Sequence, residues 1–72
     1  MPASPRYELF QKALADARQG KGLTQSEVAT RLRKPQSYVS KYESGERRLD
    51  VIEFLEVCEA MSVNPSSILR KI

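Results

Sequence analysis

Four polar side chains in one short run, Gln36, Ser37, Ser40 and Lys41, are the residues of this 72-residue chain best suited to chemistry on another molecule. On a helix they share a face, because residues four apart overlie one another and neighbours lie about 100° apart around the axis. Glutamine carries an acceptor and donors side by side, lysine donates only, and serine does either. Such a face suits nucleobase edges: glutamine pairs bidentately with adenine, lysine donates to O6 and N7 of guanine, and serine serves either. No carboxylate precedes Glu43 in this run, so nothing on the face repels phosphate.

Other chemistries have less support. The chain has no histidine and one cysteine, Cys58, which removes internal disulfides, zinc-finger ligand sets and Ser/His or Cys/His dyads. Glu53, Glu56 and Glu59 recur without a partner acid or nucleophile and read as a helix cap plus a solvated face. We therefore expect no enzyme, no catalytic residues, no cofactor and no metal. No apolar run approaches the roughly 20 residues of a membrane span, and the opening Met-Pro-Ala-Ser-Pro-Arg lacks the apolar core of a signal peptide. The expectation is a cytoplasmic chain, associated with the nucleoid when bound, with no membrane partner.

The elements that must position the polar face are short helices. Residues 1–5 read as a flexible arm, and 6–72 as one domain. Tyr7, Phe10, Leu14 and Ala17 recur at spacings of three and four on a first helix, Arg6 to Gln19, closed by Gly20-Lys21-Gly22. Leu23-Thr24-Gln25-Ser26-Glu27-Val28 is a capping box with a hydrophobic staple, so a second helix starts at Thr24 and buries Val28, Ala29 and Leu32. It stops near Arg33, because the residue before Pro35 is pushed off helical angles. Pro35 then opens a third helix that Gly45 ends, with Val39 and Tyr42 inward. Asp50 and Glu53 form a second capping box. The fourth helix is expected to bury Val51, Leu55, Cys58 and Met61, with Ile52 and Phe54 beside them. Asn64-Pro65 opens a last helix carrying Ile68, Leu69 and Ile72. The fold class is all-α, with five helices.

Charge divides the same way. The net +3 conceals ten Lys/Arg against five acids in residues 1–48, and two against four in 49–72. Two short helices joined by about three residues, the second polar outside and flanked by basic loops, meet the needs of a major-groove reader.

Residues 23–45, LTQSEVATRLRKPQSYVSKYESG, resemble the helix-turn-helix of the Cro/CI phage-repressor family, the Xre-like or lambda-repressor-like regulators. The matching parts are the Leu-Thr-Gln-x-Glu start, Ala29 between the helices, the core position Val39 and the Glu-x-Gly end at Glu43 and Gly45. The likeness extends from Tyr7 to Leu69. It implies a compact five-helix DNA-binding domain, the helix-turn-helix at about 24–44 and a recognition helix from about Pro35 to Ser44. It further implies base contacts from Gln36, Ser37, Ser40 and Lys41, and backbone contacts from Gln25, Lys34, Tyr38, Arg47 and Arg48. Arg18 and Glu43 match positions that pair as a structural salt bridge. The chain departs from the pattern at Arg33 and Ser62, where glycine is common.

Together these readings predict a sequence-specific regulator of transcription whose partner is double-stranded DNA. One short helix reads few base pairs, so a homodimer on a near-palindromic operator is expected, with Ile68, Leu69 and Ile72 as its interface. At this length no small-molecule ligand domain is expected. The alternative is a protein-interaction module, an antitoxin or bridging coactivator, that uses the same fold as a scaffold.

Overall fold

Polar side chains at four helix starts fix where the chain turns. In the computed structural model, which describes residues 4–72, the Ser4 hydroxyl accepts the Tyr7 amide at 3.1 Å and α1 runs Pro5–Gly20. The helix begins one residue before the expected Arg6, because Ser4 caps it and proline at the first position lacks the amide that would go unpaired. Residues 1–3 of the expected arm lie outside the described residues. α2, Gln25–Leu32, opens on the Thr24/Glu27 box: Glu27 N donates to Thr24 Oγ1 at 3.0 Å and Thr24 N to Glu27 Oε1 at 2.9 Å. That second bond holds the Glu27 carboxyl below its usual range. α3 is Gln36–Ser44, with Pro35 as its cap residue rather than its first helical one, since its ψ of 155° is extended. Asp50 and Glu53 cap α4, Val51–Met61, and Asn64 Oδ1 accepts the Ser66 amide to start α5, Pro65–Leu69.

Two turns use left-handed residues other than glycine: Arg33 at φ 59° and Ser62 at φ 57°. A side chain there costs roughly 1 kcal/mol relative to glycine. Ser62→Gly is therefore expected to raise stability by about 0.5–1 kcal/mol, read as a higher urea midpoint; a lower midpoint would contradict the strain argument. Gly45, at φ 85°, holds a left-handed conformation that a side chain would strain, whereas the only neighbour of an added Cβ is the movable end of Gln11.

The core gathers Ala13 and Leu14 from α1, Val28 and Ala29 from α2, Val39 and Tyr42 from α3, Phe54, Val57, Cys58 and Met61 from α4, and Ile68 from α5. Among the described residues there is no strand. α4 is rotated from the expected register. Cys58 and Met61 are inside, but Val51 and Ile52 are 71% and 64% exposed, Leu55 is also exposed, and Phe54 and Val57 take the inner face. Residues 54, 57, 58 and 61 form an equally good helical stripe. It places the large Phe54 ring edge-on to Phe10, with centroids 5.3 Å apart, burying more than Val51 could. Ile68 also differs from expectation: it closes the core and is not available to a partner. Leu69 is exposed and Ile72 is half-buried, with its carbonyl accepting from Arg6 Nε at 2.8 Å.

Tyr42 is 1% exposed and its hydroxyl has no hydrogen-bond partner. Burial pushes its pKa up, so the group stays a neutral phenol. An unsatisfied buried hydroxyl costs about 1–3 kcal/mol, and removing it leaves the ring in place. Tyr42→Phe should raise the urea midpoint, equivalent to about 1 kcal/mol; a loss would mean that the hydroxyl has a partner in solution.

Candidate nucleic-acid interface

α2 and α3 are joined by Arg33, Lys34 and Pro35, and their inner residues Val28, Ala29, Val39 and Tyr42 share the core. That packing turns the 36, 37, 40 and 41 face outward. Gln36, Ser37 and Lys41 are exposed; Ser40 is half-buried and so presents less of itself than the others.

A chain of hydrogen bonds ties the start of α3 to α1. Arg18 grips the Glu43 carboxylate with two bonds, Nε to Oε2 at 2.7 Å and Nη2 to Oε1 at 3.1 Å, and donates a third to the Leu23 carbonyl at 2.9 Å. Both side chains are largely withdrawn from water, at 12% and 9% exposure. Glu43 Oε1 also accepts from Gln25 Nε2 at 3.0 Å, and Gln25 Oε1 accepts from Gln36 Nε2 at 2.6 Å. Direction along this chain is forced. A guanidinium only donates and a carboxylate only accepts, so Gln25 must give its amide nitrogen to Glu43 and its oxygen to Gln36. Gln36 keeps a carbonyl oxygen and one N–H unspent, which is the pair adenine requires in the major groove.

The basic residues expected at DNA fall into two groups. Lys34, Ser37, Tyr38, Lys41 and Arg47 surround one cleft of about 320 Å³ at the start of α3. Within it Tyr38 is flanked by cations, with Lys34 Nζ 5.5 Å and Arg47 Cζ 4.9 Å from the ring centroid. Arg47 also pairs with Glu53. Desolvation pushes the Tyr38 hydroxyl pKa up, so it remains a neutral donor. Arg48 belongs elsewhere: its guanidinium lies 4.3 Å over the ring of Tyr7 on α1, whose hydroxyl accepts the Leu49 amide at 3.3 Å.

Residue types alone did not expose the bond from Gln25 to Glu43, the Arg47–Glu53 pair or the Arg48–Tyr7 stack. The first and third link positions distant in sequence and the second spans the loop before α4, so no helical spacing rule reports them. Cys58 is fully buried, and burial raises its thiol pKa, which leaves it an inert core group. No cluster of metal-ligating side chains occurs among the described residues. None of the described helices is long and apolar enough to cross a membrane.

The fold and this interface define a helix-turn-helix protein of the DNA-binding regulator class. The helix-turn-helix family model matches residues 14–68, and the chain belongs to that family, in its Cro/CI-like, XRE-type branch. Among solved structures it is similar to an XRE-family like protein from Pseudomonas syringae pv. tomato, with 48% identity and a TM-score of 0.86 over 92% of this chain and 80% of that one. It is similar to the clp gene regulator ClgR from C. glutamicum, with 26% identity and a TM-score of 0.86 over 96% and 90% of the two chains. The restriction-modification controller protein C.AhdI from Aeromonas hydrophila is 26% identical, with a TM-score of 0.81 over 90% of this chain and 98% of that one. Comparison with curated protein sequences gives no match.

Proposed function

We propose that the chain regulates transcription by reading double-stranded DNA sequence as a homodimer on a near-palindromic operator, with α3 in the major groove. The observation that carries this reading is the hydrogen-bond chain from Arg18 to Gln36, which holds a base-reading amide in one orientation before any DNA arrives. Preorganisation of this kind removes an ordering cost from binding. Gln36, Ser37 and Lys41 read base edges, with Ser40 beside them, while Lys34, Tyr38 and Arg47 hold the phosphate backbone around the cleft at the start of α3. Gln25 acts partly through Gln36 and partly on phosphate at the N-terminus of α2. Arg48 approaches the backbone from its seat on Tyr7.

The test is DNA binding as a function of salt, on a duplex carrying the region upstream of the chain's own gene. Neutralisation of several phosphates predicts a steep negative slope of log affinity against log salt. A flat response, or no binding, would remove this reading. Within it, Gln36→Ala is expected to cost about 1–3 kcal/mol on the cognate duplex and little on random DNA, whereas Lys34→Ala weakens both about equally and flattens the slope by about one. If the two variants behaved alike, the division between reading and holding would be wrong.

A further inference from the structure

Resting on the DNA-binding reading, we infer that Glu53 limits the affinity of the domain for every duplex by competing with the phosphate backbone for Arg47. Of the basic residues expected at DNA, Arg47 alone has a carboxylate partner among the described residues: its Nη2 donates to Glu53 Oε2. Lys34 and Lys41 form no ion pair there, and Arg48 rests on the ring of Tyr7.

Both members of the pair are anchored. The Arg47 amide donates to the Lys41 carbonyl at 3.1 Å, which lays the loop after α3 beside that helix, and the guanidinium lies over Tyr38 at the cleft. Glu53 is the third residue of α4. Its Oε1 accepts the Asp50 amide at 3.0 Å and its own amide donates to Asp50 Oδ1 at 2.7 Å, so the capping box leaves the second carboxylate oxygen for Arg47. Tied to the helix start, the carboxylate cannot follow Arg47 onto DNA. A phosphate that takes Arg47 must therefore displace Glu53 or share the guanidinium with a second negative charge. With side chains 42% and 24% exposed, the pair is open to water, and such pairs shift an equilibrium by no more than about fivefold. Phosphate can break it, at a loss of affinity. That loss does not depend on sequence, because phosphate contacts carry no base information.

The experiment measures binding of the full chain to the upstream duplex and to a random duplex across a salt series. The proteins are the parent, Glu53→Gln, Glu56→Gln, Arg47→Ala, and Arg47→Ala combined with Glu53→Gln. Glutamine at 53 keeps an oxygen for the Asp50 amide but turns a donor toward the guanidinium, so the cap survives and the pair is lost. Unchanged helical circular dichroism checks that the cap holds. Glu53→Gln is expected to bind both duplexes about three- to fivefold more tightly at low salt, with a salt slope steeper by up to about one. Glu56→Gln removes the same charge one turn further along α4, from a carboxylate with no ion pair among the described residues, and should gain clearly less. In the Arg47→Ala background the gain from Glu53→Gln should vanish. Weaker binding by Glu53→Gln would mean that the carboxylate orients Arg47 for phosphate. A gain that Glu56→Gln matches, or that survives without Arg47, would mean a general effect of charge. Either result overturns the inference. A parent that binds no duplex removes the DNA reading and this inference with it, whereas a parent that binds without any gain from Glu53→Gln removes the inference alone.

Discussion

Replacing Glu43 with alanine is expected to destabilise the domain by about 3 kcal/mol and to weaken binding to its preferred duplex by more than binding to random DNA. The stability loss follows from leaving a largely buried guanidinium without its carboxylate, for which removal of one partner costs about 3–5 kcal/mol. The lower end applies because Arg18 keeps its bond to the Leu23 carbonyl. The binding loss has a separate cause. Without Glu43, Gln25 loses the acceptor that orients its amide, and Gln36 loses its fixed direction. Glu43→Gln separates the two effects. It preserves shape and destabilises less, yet its amide can donate to Gln25, reversing the chain so that Gln36 is held by its oxygen. Selection of sites from a randomised duplex pool should give an adenine at the Gln36 position for the parent and a weakened adenine preference for Glu43→Gln. Equilibrium unfolding in urea measures the stability term. An unchanged base preference in Glu43→Gln would show that Gln36 reads DNA independently of Glu43.

The sequence carried the helix starts well because each is set locally. Thr24 with Glu27, Asp50 with Glu53 and Asn64 with Pro65 act over a few residues, and the boundaries they imply agree with the structure to within about one residue. The outward polar face of α3 was legible for a similar reason: Val39 and Tyr42 fix its inner side, and 36, 37 and 41 follow by geometry. The Ser40 position follows too, but its partial burial depends on neighbours that spacing does not reveal. Long-range polar links were illegible from spacing; the one anticipated, Arg18 with Glu43, came from the family resemblance and is present. The two glutamines are eleven residues apart and join only because the α2–α3 turn brings them together, and Arg48 meets Tyr7 across 41 positions. The summed charge of residues 1–48 likewise gave no sign that Arg47 and Arg48, adjacent in sequence, hold different aromatic rings.

α4 shows how a correct element can carry the wrong face, and it yields the other large expected effect. Its sequence, VIEFLEVCEAM, offers two apolar stripes that share Cys58 and Met61, one through Val51 and Leu55, the other through Phe54 and Val57. Periodicity cannot choose between them, because both obey the helical repeat. Tertiary packing chooses by area: Phe54 meets Phe10 edge-on and is 7% exposed, while Ile52 is 64% exposed. Phe54→Ala should therefore cost about 3 kcal/mol, near the low end for a buried aromatic because the adjoining cleft lets solvent fill the space. Ile52→Ala should change stability by less than about 0.5 kcal/mol. Both are read from urea unfolding at low protein concentration, so that any dimer is dissociated and its association energy does not add to the monomer's stability. The alternative stripe sets Ile52 and Phe54 alike at its flanks and predicts no such gap, so this pair of variants decides between two registers of one helix.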